Sequence, residues 1–303
     1  MGKVILFSNL KGGVGKTTDT DITAVVASQL FHRKVLLIDV DMQANSTSNM
    51  SKTFKINNFN QSFASAVVNG SLKPAIMSLS PNLDFIAGSS AESEINTFIT
   101  THSQSKSDEY RFFKPMIDEV KDDYDYIFFD IAPSIDNTVF SILYNTDYVI
   151  AVQEVKRFSM DGTSVLISKL KNFYATYKDE GVHYEVLGIL PAILQPRRKQ
   201  QLKNYQETIN QFGKSNVFST IIKHHDRIEG FEENGISLND IADRKIWALY
   251  ADLFTEIEAR IKYNEQNGDN KGFEYQLQYY DSKVNKTLDK GKEIDYHHGI
   301  NPE

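Results

Sequence analysis

The run Lys11-Gly12-Gly13-Val14-Gly15-Lys16-Thr17-Thr18 carries the residue types that would hold a polyphosphate. Its glycines let the backbone fold around phosphate oxygens with successive N–H groups turned inward. A helix starting directly behind the loop adds about half an elementary positive charge at its N-terminus. In that frame Lys16 would reach the β- and γ-phosphates, Thr17 would place its hydroxyl on Mg²⁺, and Thr18 would bond on the α-phosphate side. The run departs from the common G-x-x-x-x-G-K-[ST] pattern: Leu10 stands where the first glycine belongs, and Lys11 opens the loop instead.

Carboxylates that could serve such a site follow. Val35 to Asp39 is an apolar run ending in Asp39-Val40-Asp41, whose two acids can sit near Mg²⁺ and near an attacking water without crowding one oxygen. A second run, Ile127-Phe128-Phe129, ends in Asp130, an arrangement whose carboxylate holds Mg²⁺ directly or through water. One acid at a strand end is more often a helix cap; three beside one phosphate loop favour a metal–nucleotide site. Asp19 and Asp21 suit the helix dipole in the turns after the loop and are expected to be solvated charges.

Positioning these groups requires strand tips. Lys3–Ser8, Lys34–Asp39, Leu83–Ala87, Tyr126–Asp130, Tyr148–Gln153 and Tyr184–Leu190 read as strands, with another over Val217–Ile222. Helices are expected over Thr18–Phe31, Phe113–Lys121 and Tyr250–Ile261. The alternation predicts an α/β fold, a mostly parallel twisted sheet flanked by helices, with its ligand at the strand tips. Residues 46–110, rich in Ser, Asn and Thr, read as loops around short helices. One domain is expected over residues 1–262, followed by a polar extension over 263–303 read as an appendage.

Composition narrows the function classes. The chain has 303 residues, 33 Lys plus Arg against 40 Asp plus Glu, a net charge of −7, and 41% hydrophobic residues, which is ordinary soluble-globular usage. The absence of cysteine excludes a disulfide scaffold, a Cys-ligated zinc, an iron–sulfur cluster and a thiol nucleophile. The apolar start is too short for a signal peptide, and no run approaches the roughly 18 residues needed to span a bilayer. A cytoplasmic protein without membrane attachment is expected.

Taken together, the motifs make the chain resemble the ParA/MinD deviant Walker ATPases, and most closely the ParA-type DNA partition proteins. The likeness covers roughly residues 3–258 and includes the Lys11 to Thr18 loop, Asp39-x-Asp41-x-Gln43-x-Asn45, Asp130 to Ser134, Val152-Gln153-Glu154 with Gly162, and Val217 to Ile222. It departs at Met42 and Ala132, where the family usually has Pro, and at Asp19, where it usually has a small residue or Thr. The resemblance implies ATP and Mg²⁺ as ligands and a homodimer formed on ATP binding. In that dimer Lys11 would cross to the partner's phosphates, Asp41 would orient the water, and Asp39 would support the metal shell. The nucleotide contacts would come from Lys11, Gly12, Gly13, Val14, Gly15, Lys16, Thr17 and Thr18, with Lys223 and His225 beside the adenine; Thr17, Asp39 and Asp130 would serve the metal.

The function implied is ATP-dependent segregation of a plasmid or chromosome, with non-specific DNA binding released by a centromere-binding partner that stimulates hydrolysis. The alternative is a related ATPase that positions other cargo or regulates replication. Local charge supports DNA: between Arg197 and Ile228 seven cations stand against two anions. Arg197, Arg198, Lys203 and Arg227 are the candidate phosphate contacts, which would be non-specific in sequence and would place the protein on the nucleoid.

Overall fold

The computed structural model describes residues 2–134, 136–195, 197–238 and 241–280. Seven strands, β1 (Lys3–Ser8), β2 (Val35–Asp39), β3 (Met77–Ser80), β4 (Leu83–Ile86), β5 (Tyr126–Asp130), β6 (Tyr148–Glu154) and β7 (Glu185–Ala192), form one sheet in the order β3-β4-β2-β5-β1-β6-β7. Every pairing is parallel except β3 with β4. The α-helices are α1 (Lys16–Gln29), α2 (Asn45–Phe54), α3 (Phe63–Asn69), α4 (Ile95–His102), α5 (Lys106–Arg111), α6 (Lys114–Lys121), α7 (Asn137–Tyr144), α8 (Arg157–Tyr177), α9 (Lys199–Phe212), α10 (Asp226–Asn234) and α11 (Ile241–Asn267).

Strand periodicity divides the core into two layers. Val4 and Leu6 of β1, Leu36 and Ile38 of β2, and Ile127 and Phe129 of β5 pack on one face with α3 to α8. Their neighbours Ile5, Phe7, Val35, Leu37, Tyr126 and Phe128 pack on the other with α1 and α11. Both faces are covered, so the central strands read as continuous apolar runs without polar alternation. The predicted α/β class and the six main strands are borne out.

Two readings of secondary structure need correction. Val217–Ile222 is not a strand but makes single bridges, Ile189 with Val217 and, just beyond it, Leu194 with Lys223. The cause is Glu256, whose carboxylate accepts the Ser219 and Thr220 N–H groups at 2.8 Å each and withdraws them from the ladder. In the other case, the antiparallel edge strand β3 lies inside the polar 46–110 stretch, where only four residues, the last two buried, and a register shift leave no period to read. Farther on, α11 runs through the expected boundary at 262 to Asn267, and residues 268–280 fold back onto the core with Phe273 and Asn270 buried. Residues 281–303 of the expected extension lie outside the described residues.

Candidate functional site

The central strands β2, β5 and β1 are neighbours, so their C-terminal ends bring Asp39, Asp130 and the phosphate loop to one edge of the sheet. Asp39 and Asp130 are in direct register across β2 and β5. From β1 the chain turns through Asn9, whose Oδ1 accepts the Lys11 N–H at 2.8 Å and whose side-chain amide donates to Val152 O. Gly13 and Gly15 take φ of +68° and +98°, the left-handed region that other residues resist. Helix α1 then begins at Lys16, aiming its N-terminus into a cleft of about 620 Å³. Gly12, Gly13, Gly15, Lys16, Thr17, Thr18, Asp41, Lys223 and His225 all line that cleft. Val14 is instead fully buried in the core beneath the loop, so only its backbone can serve a ligand.

Lys16 is buried and its ammonium donates to Lys11 O at 3.3 Å across the loop. Desolvation holds its pKa below the ordinary lysine value, and Asp130 and Asp41 oppose that by attraction. A polyphosphate would supply the missing counter-charge. Lys11 is half-exposed and its ammonium pairs with Glu154 Oε2 at 3.2 Å; Glu154 also pairs with Lys156.

The acids are held unequally. Asp39 is fully buried, and its Oδ2 accepts the Thr47 N–H at 2.8 Å and the Thr47 hydroxyl at 2.7 Å, while Oδ1 accepts the Asp41 N–H at 3.1 Å. Burial still pushes it up to about 6. Asp41 lines the cleft with Oδ1 accepting the Gln43 N–H at 2.9 Å. Asp130 is buried with neither carboxylate oxygen hydrogen-bonded, and desolvation, then Asp39 and Asp21, raise its pKa well above the carboxylate range. The Thr17 hydroxyl opposes that rise. A buried carboxylate with no partner costs several kcal/mol, on the order that a bound cation would offset. Asp130, near the Thr17 hydroxyl, is thus the carboxylate that could take a cation directly, while Asp39, its oxygens held by Thr47 and Asp41, could only support such a shell. Among the described residues no group of three or more His, Cys, Asp or Glu is placed to hold a metal ion.

Asp19 and Asp21 are not solvated. Each is 1% exposed. Tyr250 donates to Asp19 Oδ1 at 2.7 Å, and Asp19 Oδ2 has no hydrogen-bond partner. Asp21 accepts from Ser46 and from Asn49, the latter at 2.8 Å, tying α1 to α2. Burial raises both to about 7. The helix-dipole argument fails because α1 lies under α11, so its first turns face protein instead of water.

Sequence reasoning missed Thr47, Gly88 and Glu232. Thr47 orients Asp39 and donates nothing else, while a Cβ on Gly88 would come within 2.8 Å of Asp39 Cγ, so only glycine allows that approach. Glu232, on α10, accepts the Thr18 hydroxyl at 2.6 Å inside the cleft. Thr47, eight residues past Asp39 at a helix start, left a faint signal; Gly88 and Glu232 are remote in sequence and left none.

Of the four DNA candidates, Arg197, Arg198 and Lys203 are exposed around the start of α9, where Lys203 pairs with Glu207 at 3.7 Å. Arg227 stands apart on α10, its guanidinium bound to the fully buried Asp243. Among the described residues no helix is long and apolar enough to cross a membrane.

A family model described as AAA domain (AAA_31) matches residues 2–181. The Bacillus subtilis sporulation initiation inhibitor protein Soj is 28% identical over 86% of this chain and 99% of its own length. A chromosome-partitioning ATPase, also Soj, from Treponema pallidum is 25% identical over 86% of this chain and 98% of its own. Among solved structures, a putative plasmid partition protein from Borrelia burgdorferi bound to AMPPNP aligns with a TM-score of 0.67 at 22% identity, over 85% of this chain and all of that one, a likeness of fold. The phosphate loop, the registered acids and a family match over more than half the sequence lead to one conclusion: the chain belongs to the AAA domain family, as a P-loop ATPase of the ParA type.

Proposed function

We propose that the protein is a DNA-segregating ATPase that binds Mg-ATP in the β1–β2–β5 cleft, dimerises on it, holds DNA non-specifically, and lets go when a centromere-binding partner stimulates hydrolysis. The observation that carries the nucleotide reading is the pairing of a buried, partly uncompensated Lys16 with the bare carboxylate of Asp130 at the mouth of one loop. Each is costly alone, and a phosphate–metal pair would satisfy both. Lys16 would neutralise the β- and γ-phosphates, Thr18 would hold the α-phosphate, and the Lys223–His225 backbone would flank the base. Thr17 and Asp130 would hold Mg²⁺, with Asp39 supporting its shell; the metal when bound would offset charge on the transferring phosphoryl group. Asp41 would fix the attacking water. Lys11 would leave Glu154 for the phosphates of a second copy, which makes ATP the bridge of the dimer. The chromosome-partitioning relative from Treponema pallidum supports this reading, as does the exposed cation group around α9, which would seat the dimer on the nucleoid.

The test is calorimetry and light scattering on two variants. Lys16→Ala should lose Mg-ATP binding, whereas Lys11→Ala should bind nucleotide as a monomer and fail to dimerise. Undiminished ATP affinity in Lys16→Ala would remove the proposed site. An ATP dimer in Lys11→Ala would remove the cross-subunit lysine. If both behave as expected but no nucleotide state binds DNA, an ATPase positioning other cargo becomes the better reading.

A further inference from the structure

The chain does not stop at the end of α11 but folds back over the core as far as Lys223, a residue of the cleft wall. Asn270 Nδ2 donates to the Val186 and Leu187 carbonyls of the edge strand β7 at 2.9 and 3.2 Å. Arg260, itself 1% exposed, is flanked by the Phe218 ring at 4.3 Å and the Phe273 ring at 4.5 Å. Farther along, the fully buried carboxylate of Asp252 accepts the N–H groups of Gln278 at 2.6 Å, Tyr279 at 3.1 Å and Tyr280 at 2.6 Å. Backbone donors converging on one buried anion make a strong, geometrically defined anchor. Tyr279 closes edge-on against Phe31 at 5.9 Å. The next ring, Tyr280, lies 4.9 Å from the Lys223 ammonium, and Lys223 is part of the cleft wall.

We propose that the strap over residues 268–280 braces a wall of the nucleotide site, and that Tyr280 is a positioning residue for nucleoside di- and triphosphates acting through Lys223. The ring face attracts the ammonium and fixes a long, otherwise mobile side chain at the rim of the cleft. The segment that carries Lys223 is held from the other side by Leu194, which donates to Ile222 O at 3.1 Å and accepts from the His224 N–H at 2.9 Å. Lys223 is thus clamped between the end of β7 and the strap. This inference rests on the nucleotide reading above and adds to it a segment that lies beyond the matched family model.

The experiment is a double-mutant cycle on the full chain, read as ADP affinity by calorimetry with Mg²⁺ present. Tyr280→Ala should weaken ADP by about two- to fivefold, the worth of one partly exposed cation–aromatic contact. Tyr280→Phe should restore wild-type affinity, since the ring and not the hydroxyl holds the lysine. In a Lys223→Met background Tyr280→Ala should change nothing further. An equal loss in both Lys223 backgrounds, or a Phe variant as weak as the Ala variant, would overturn the proposal while leaving the nucleotide site standing. Wild-type protein that binds no ADP, or Lys16→Ala that binds it as well as wild type, would overturn the underlying reading and this inference with it.

Discussion

Replacing Glu232 by Gln should tighten nucleotide binding, because the native carboxylate occupies the hydroxyl that an α-phosphate would use. Its Oε1 accepts from Thr18 Oγ1 at 2.6 Å, and its backbone carbonyl is pinned by Lys52 Nζ at 2.7 Å. A phosphate oxygen bonded to the same hydroxyl would bring two anions to about 4–5 Å. At that separation their repulsion is about 1 kcal/mol at the dielectric of bulk water and about 4 kcal/mol at an effective value near 20. If the side chain swings out instead, the cost is one charge-assisted hydrogen bond, about 1.5 kcal/mol at the solvent-exposed end of its range. The complex takes the cheaper route, so the gain for the Gln variant is about 1–1.5 kcal/mol, or about fivefold to twelvefold in affinity. Calorimetric titration of ADP and ATP at low and high salt measures it. The gain should shrink as salt screens the repulsion, and adenosine, which lacks phosphate, should bind both proteins alike. Unchanged or weaker ADP binding in Glu232→Gln, or an equal gain for adenosine, would refute the reasoning.

Asp41→Ala should keep ATP affinity and accumulate an ATP dimer while turnover falls by about 100-fold or more, the usual worth of a positioned acid–base group; normal partner-stimulated turnover would sink that role. Stability of the nucleotide-free protein should fall as pH rises from about 4 to 7, because Asp19 and Asp21, held near 7, keep protons in the folded state that the unfolded chain has released. For Asp19 alone the effect is on the order of 4 kcal/mol, and urea melts from pH 5 to 8 should show a flatter dependence in Asp19→Asn; an equal slope in both proteins would count against the buried-acid argument. Arg197→Ala/Arg198→Ala should flatten the salt dependence of DNA binding, whose slope should be near −5 if about six phosphates are neutralised per dimer. Arg227→Ala should instead lower the melting temperature, since its guanidinium is bound to the buried Asp243, and a DNA-only effect with no loss of stability would contradict that placement.

The sequence by itself determined the parts of this protein that are local. A strand of uniform apolar residues, a glycine loop and a helix start are consecutive, so β1, the loop and α1 could be read directly from order and residue type. The acids at the ends of β2 and β5 were legible for the same reason, since each closes its own apolar run. Tertiary structure alone decided what surrounds them. Asp19 and Asp21 looked like surface charges until α11 and α2 covered α1, and only the packed chain shows that Arg227, a candidate DNA contact, also pairs with the buried Asp243. The Val217–Ile222 run kept its strand-like composition but lost its ladder to Glu256, more than thirty residues downstream. Glu232 reached the cleft, and Tyr280 reached its wall residue Lys223, by the same kind of long-range closure. Periodicity and residue type report what a segment can do with its neighbours in sequence. Burial, carboxylate pairing and the competition for a backbone N–H depend on which distant segment arrives, and only the packed chain settles that.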